Sequence, residues 1–217
     1  NIYSPDLLKY LRKWCNDNNI YLIADEIMTG IGRTGKMSAC EHANIQPDFA
    51  CYSKGLTSGW MAFSTCVTTS EIFDLFYSDK IDQAFLHSHT YSGNALASTA
   101  AYETLKIMEN INICEHVNNI IYPELTKQIN QLAEIKINNK PIFHNIRSLG
   151  AIAACDIKPE FAKLLPIITK NLSQLKTGVL IRPIANTFYW MPPLNSSIED
   201  IQIMASICKN VITKTIL

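Results

Sequence analysis

Two short apolar runs, each ending in a charge, constrain this chain more than any other feature. Tyr21-Leu-Ile-Ala leads into Asp25, and Phe49-Ala-Cys-Tyr-Ser53 leads into Lys54. Continuous apolar runs of this length read as strands buried on both faces, as in parallel sheets covered by helices. A helix pattern precedes the first run. Ser4-Pro5-Asp6 is a start signal, Leu7, Leu8, Leu11, Trp14 and Cys15 fall at helical spacing, and Asn16-Asp17-Asn18-Asn19 ends it. Helix followed by buried strand is the signature of an α/β fold. With both strands in one sheet, Asp25 and Lys54 reach the same edge, where ligands of such sheets bind.

The rest of the chain extends this pattern. A glycine turn at Gly30, Gly32 and Gly35 precedes a short helical segment over 37–43. Pro47-Asp48 introduces the second apolar run, 61–68 reads as a third strand, and Ser70-Glu71 starts a helix. His87-Ser-His-Thr-Tyr-Ser-Gly93 is a loop dense in side-chain donors, and Asn94 caps an alanine-rich helix to about Met108. A longer helical pattern over 113–133 contains Pro123, which should kink or split it. Near residue 136 the character changes. A polar connector over 136–140 leads to a strand over 151–157, a helix over 159–175 and short strands over 179–182 and 188–191. Ser196-Ser197-Ile198-Glu199 offers a capping box for a final helix to about Thr213. The expected division is an α/β part over 1–135 and an α+β domain over 136–217.

Composition excludes several function classes. Formal net charge is zero and no basic stripe with interleaved aromatics occurs, which argues against nucleic acid. No apolar run approaches the ~20 residues of a membrane span, and no signal-peptide pattern opens the chain. The cysteines Cys15, Cys40, Cys51, Cys66, Cys114, Cys155 and Cys208 include no C-x-x-C pair, so reduced thiols in a cytoplasmic protein are expected. No clustered set of ligands calls for a metal.

A carboxylate and an amine at one sheet edge suit a pyridoxal phosphate site. An ionised carboxylate beside the pyridine nitrogen keeps that nitrogen protonated, and a lysine bonds to the cofactor and shuttles protons. Taken singly, Asp25 reads as well as a cap or ion-pair partner, and Lys54 as a solvated amine. Thr90 alone reads as part of a capped loop, and Arg182 as half of a surface ion pair. The pairing of Asp25 with Lys54 is what favours chemistry. Gly30-x-Gly32-x-x-Gly35 has the spacing of a dinucleotide loop, but Glu-Ile-Met-Thr intervenes after Asp25 and Arg33 sits within the turn, which argues against NAD.

Leu22-Ile-Ala-Asp25-Glu26-Ile-x-Thr29-Gly-x-Gly-Arg33-Thr-Gly35, Pro47-Asp48 and Ser53-Lys54-Gly55 resemble the class III pyridoxal phosphate-dependent aminotransferases. Within that family, three segments resemble the members that aminate 8-amino-7-oxononanoate to 7,8-diaminononanoate in biotin synthesis. They are 36–42, the loop 87–94 with Ala95-Leu96-Ala97, and Ile181-Arg182-Pro183 with Tyr189-x-Met191-Pro192-Pro193. The resemblance spans essentially the whole chain. It implies the fold type I architecture of pyridoxal phosphate-dependent transferases, with 1–135 the C-terminal part of the large cofactor domain and 136–217 the small domain.

By position, the resemblance makes Lys54 the catalytic, cofactor-linked lysine and Asp25 the acid on the pyridine nitrogen. Thr90 would reach the cofactor phosphate of the partner subunit of a homodimer. Ser88 and His89 stand where these enzymes commonly have Gly-Pro, and take backbone places near substrate and phosphate. Arg182 would take the substrate carboxylate and Tyr189 a place in the substrate pocket, while Ala185-Asn186 replaces a more usual glycine-containing turn. The amino donor implied is S-adenosylmethionine, with lysine used by some members. The family also has an N-terminal half that is not matched here, and the chain opens on Asn1. The expectation is a piece of a longer enzyme that binds the cofactor poorly by itself. Two other readings stay open: a class III enzyme acting on an ω-amino acid or diamine, and a non-catalytic aminotransferase-like fragment.

Overall fold

Helix α1 (Pro5–Asp17) starts where the capping signal places it. The Ser4 hydroxyl accepts the Asp6 N–H, and Pro5 at the first position forfeits no intrahelical bond. The computed structural model describes residues 1–176 and 179–216. They divide into two compact units, Asn1–Asn112 and Ile113–Leu217.

In the first unit, β1 (Ile23–Asp25), β2 (Phe49–Tyr52) and β3 (Thr65–Thr68) form a sheet in that order. β1 and β2 run parallel, with Asp25 opposite Cys51, and β3 runs antiparallel to β2. Asp48 ties the entry to β2 to its surroundings: its carboxylate accepts the Leu22 N–H at 2.6 Å and pairs with Arg12 of α1 at 2.7 Å. Burial works against its charge, but the Leu22 N–H and the Arg12 guanidinium outweigh that and hold the carboxyl below its usual range.

The expectation of strands buried on both faces fails for β1: Ile23 is 65% and Tyr21 61% exposed. Among the described residues β1 is an edge strand paired only with β2, and the face that carries Tyr21 and Ile23 is left open, while Leu22 and Ala24 on the other face are half-buried. The segment 37–43 becomes a 3₁₀ turn, Ala39–Ala43, and the third strand is shorter than the run 61–68. Helices α2 (Ser70–Asp74) and α3 (Ala95–Asn110) complete the unit, capped by Thr69 and Asn94. α3 packs on a 3₁₀ turn, Lys54–Thr57, and the small buried side chains Ala97 and Ala101 permit a close approach.

In the second unit the pattern over 113–133 splits into α4 (Ile113–His116), a π-helical turn (Val117–Ile121) and α5 (Tyr122–Ala133). Pro123 has no N–H to donate, and the helix widens just before it rather than breaking. The polar connector forms a minimal hairpin of β4 (Lys136–Ile137) and β5 (Lys140–Pro141). An antiparallel sheet follows: β6 (Phe143–Leu149), β7 (Ile152–Ile157) and β8 (Thr187–Trp190), in that order. β6 escapes sequence reading because its register shifts between His144 and Arg147, which breaks the alternation.

α6 (Leu164–Ser173) is shorter than the helix expected over 159–175, which opens instead as a 3₁₀ turn, Pro159–Phe161. Residues 179–182 form no strand; Ile181 is buried while Leu180 is 75% exposed. The last helix, α7 (Ile198–Ile216), is capped one residue later than expected. The Ser197 N–H donates to the Asp200 carboxylate and the Asp200 N–H to the Ser197 hydroxyl, so Ser197 and Asp200 form the box, not Ser196 and Glu199. The core joins Leu125 and Ile129 of α5, Ile168 of α6, Phe188 and Trp190 of β8, and Ile201 and Ile212 of α7. Because α5 packs on β6 and α7, the second compact unit takes in α4 and α5 ahead of the change of character near 136.

A polar network spans this second sheet. Asp156 accepts from Arg147 at 2.9 Å, Thr187 at 2.7 Å and Asn145 at 2.6 Å. Burial opposes its ionisation, but these donors, Arg147 first, hold the carboxyl down at about 2 from its ordinary 3.8. A depressed carboxyl contributes stability that is present above the unfolded value and is lost as pH falls through the folded one. Acid titration from about pH 4 to pH 2 should therefore remove about 2 kcal/mol of stability through this group. Urea unfolding across that range should show a shallower pH dependence in Asp156→Asn. Equal slopes in both proteins would refute the assignment.

No helix among the described residues is long and apolar enough to cross a membrane. No group of three or more His, Cys, Asp or Glu side chains among them could hold a metal ion.

Candidate active site

Asp25 ends β1, and Lys54 stands two residues beyond β2, opening the 3₁₀ turn Lys54–Thr57. The two strands are parallel neighbours, so both side chains leave the sheet at its carboxyl edge. Both residues are exposed. One Asp25 carboxylate oxygen accepts the Ile27 N–H at 3.0 Å, an Asx turn that orients the carboxylate; the other oxygen has no partner among the described residues. Lys54 makes no side-chain hydrogen bond or ion pair with the described residues. Its backbone is left-handed, with φ at 45°, a conformation that costs a non-glycine residue roughly 1–2 kcal/mol and is found often at functional sites.

What holds Lys54 in this conformation is the loop that follows Asp25. Ile31, buried and itself left-handed at φ 55°, packs against Gly55; a Cβ on Gly55 would meet the Ile31 side chain at 3.4 Å. Gly30 lies on the Tyr52 ring so closely that a Cβ would come within 2.8 Å of it and 2.9 Å of the Glu26 carbonyl. Only glycine permits that approach. Glu26, 2% exposed, pins the loop from within. Its carboxylate accepts from the Thr29 hydroxyl, the Ser38 hydroxyl at 2.7 Å and the Cys40 N–H at 3.1 Å. Burial pushes this carboxyl up, and those donors, with the Ala39 N–H, bring it below its usual value. Sequence reading passed over Glu26 beside Asp25. The signal lay in Ser38-x-x-Glu41, a capping box whose serine turns its hydroxyl to Glu26.

Ser88, His89 and Thr90 lie in the irregular segment before α3, all exposed. The His89 N–H donates to the Ser92 hydroxyl at 3.1 Å, and the Tyr91 N–H donates to the His89 ring at 3.2 Å, so the loop is bent around His89. The Thr90 hydroxyl has no partner among the described residues. Because α3 packs on the Lys54–Thr57 turn, this loop leads directly into a helix that touches the lysine-bearing turn.

In the second unit, Arg182 and Tyr189 line one open cavity of about 570 Å³ together with Met191, Pro193 and Met204. The Arg182 guanidinium is exposed and unpaired among the described residues. Between the two residues, Ile184 bridges to Thr187 around Ala185-Asn186, and Ala185 takes a left-handed φ of 50°. A glycine would adopt that turn at lower cost.

The family described as "Aminotransferase class-III" matches residues 1–212. The chain belongs to the class-III aminotransferases. This family is pyridoxal phosphate-dependent. An adenosylmethionine-8-amino-7-oxononanoate aminotransferase of Helicobacter pylori is 37% identical over 206 residues, covering 93% of this chain and 46% of that protein. The crystal structure of the enzyme of that name from Methanocaldococcus jannaschii superposes with a TM-score of 0.82 at 28% identity, covering 94% of this chain and 48% of that one. An ornithine aminotransferase of Plasmodium yoelii superposes with a TM-score of 0.83 at 26% identity, covering 99% of this chain and 55% of that one. The α/β architecture is thus that of the fold type I aminotransferases. The chain spans about half the length of the curated relatives it matches.

The residues present fit the family's cofactor. Asp25 offers an unclaimed, exposed carboxylate oxygen to a protonated ring nitrogen, Lys54 an unclaimed amine to an aldehyde carbon, and Thr90 an unclaimed hydroxyl to a phosphate.

Proposed function

We propose that this chain carries the lysine-bearing part of an adenosylmethionine-8-amino-7-oxononanoate aminotransferase of biotin synthesis. The full enzyme moves an amino group from S-adenosylmethionine to 8-amino-7-oxononanoate, giving 7,8-diaminononanoate. One observation carries the chemistry: Asp25 and Lys54 leave the carboxyl edge of adjacent parallel strands with one Asp25 oxygen and the Lys54 amine uncommitted among the described residues. The substrate assignment rests on relatives of that name and on the shared cavity of Arg182 and Tyr189.

Pyridoxal phosphate, when bound, supplies the electron sink that acidifies the amine-bearing carbon. Asp25 holds the proton on the ring nitrogen, since a carboxylate in contact stabilises the charged form. Lys54 Nζ takes the proton from the substrate carbon and returns it to the other side of the exchange. Thr90, with Ser88 and His89, forms the loop that receives the phosphate of the partner subunit's cofactor. Ser88 and Tyr189 border the substrate, and Arg182 grips its carboxylate with a forked pair of N–H donors. The assembly is a homodimer in the cytoplasm, with 1–135 part of the cofactor domain and 136–217 the small domain.

The test is turnover by a protein joining this chain to the half its relatives possess beyond it. That protein should aminate 8-amino-7-oxononanoate. Arg182→Ala should raise the KM for that keto acid about 10–100-fold, the loss expected for a charge-assisted carboxylate contact. Arg182→Lys should recover part of it. A protein that aminates only ω-amino acids or diamines would overturn the substrate assignment, and an unchanged KM in Arg182→Ala would remove Arg182 from the site.

A further inference from the structure

Cys51 of β2 and Cys66 of β3 face each other directly across the antiparallel ladder, with Ala50 opposite Val67 and Tyr52 opposite Thr65 on either side. Residues opposed in this way share a face of the sheet, with Cα atoms roughly 4.5–5.5 Å apart. A disulfide needs roughly 4.4–6.8 Å, a span that this kind of pairing meets. Cys66 is exposed and Cys51 half-buried, whereas Cys15, Cys40, Cys155 and Cys208 are all buried.

We propose that Cys51 and Cys66 form a reversible cross-strand disulfide, made by exchange with a small disulfide such as oxidised glutathione. The Cys66 thiolate attacks one sulfur of the oxidant, whose S–S bond breaks and releases one thiol. The Cys51 thiolate then attacks the Cys66 sulfur of the mixed disulfide and expels the second thiol. The protein loses two protons and two electrons, and the oxidant is reduced to two thiols.

The order of attack follows from access, since Cys66 alone of the pair is open to solvent. Slight burial, with the neighbouring Cys51 thiol, raises the Cys66 thiol above its ordinary value, so the exchange accelerates as the solution becomes alkaline. The bond would lie in the cross-strand row Asp25, Cys51, Cys66, three residues before Lys54. It places a reducible staple in the strand that delivers the lysine. The inference stands on the ladder alone and does not depend on the substrate assigned above.

The full chain should be held folded with oxidised glutathione at mildly alkaline pH, quenched in acid, alkylated and mapped by peptide mass. The expected product is one cross-linked peptide pair joining Cys51 to Cys66, lighter by two hydrogens than the reduced pair and separated by dithiothreitol. Oxidation in urea should scatter links among all the cysteines. Cys66→Ser, a change at an exposed site, should leave Cys51 open to alkylation. The proposal is overturned if both thiols stay alkylatable in the folded protein, if both carry glutathione without joining, or if Cys66 links elsewhere.

Discussion

Lys54→Ala should lower amino-group transfer at least about 10³-fold, the scale of a lost acid–base group, with the fold intact. That factor corresponds to about 4 kcal/mol of transition-state stabilisation. Lys54 is exposed and its side chain forms no hydrogen bond or ion pair with the described residues, so removing it takes nothing from the core. Alanine is also no worse than lysine in the left-handed backbone, because both carry a Cβ. The melting temperature should therefore hold while turnover collapses. Lys54→Arg should fail to rescue: guanidinium keeps its proton throughout the working pH range and cannot accept one from carbon. The enzyme joining both halves is the protein to assay, with substrate turnover and retention of cofactor on gel filtration as paired readouts. Turnover within tenfold of the parent would remove Lys54 from the chemistry.

The Asp25–Lys54 pair was legible in the sequence because strand-end chemistry is local. An apolar run fixes where a strand ends, and the residue after it must sit at the sheet edge. The surroundings of the pair were not legible. Glu26 is next to Asp25 in sequence, yet its role depends on donors at Ser38 and Cys40 that only the folded loop brings back. Likewise Gly30 reads as turn punctuation, while its actual constraint is the Tyr52 ring on another strand. The burial of β1 was misjudged for a related reason: an apolar run shows that a strand is built to be covered, not that this chain supplies the cover. In the second unit, the helices and the last strand were visible through periodicity and capping residues, but their ends were not: α6 is shorter than its pattern. β6 was hidden by an irregular register, and the capping box slipped by one residue because Asp200 competes with Glu199 as the acid. Arg182 and Tyr189 were tied together only by resemblance, and the cavity they share supplies a geometric reason.

Phe188→Ala should cost the second unit about 3–5 kcal/mol, the range for deleting a fully buried aromatic ring. Phe188 has no exposed surface, and its ring lies 6.0 Å from both Phe143 and Trp190, centroid to centroid. Those three rings link β6 and β8 across the core that α5, α6 and α7 close, so the cavity left by alanine has rigid walls and cannot collapse. Against a domain stability of about 5–15 kcal/mol, this loss should lower the melting temperature by roughly 10 °C or more. Phe188→Leu, which retains most of the volume, should cost much less, and Ile184→Ala at a 66% exposed position of the neighbouring turn should sit within about 0.5 kcal/mol of the parent. Urea unfolding followed by circular dichroism measures all three, and a loss below about 1 kcal/mol in Phe188→Ala would mean the ring is not a wall of the core. The effect should also reach the proposed substrate site. Tyr189 follows Phe188 on β8 and points to the other face of the strand, into the cavity with Arg182. A core that no longer fixes β8 cannot fix Tyr189, so the same variant should weaken binding of the keto acid before it unfolds.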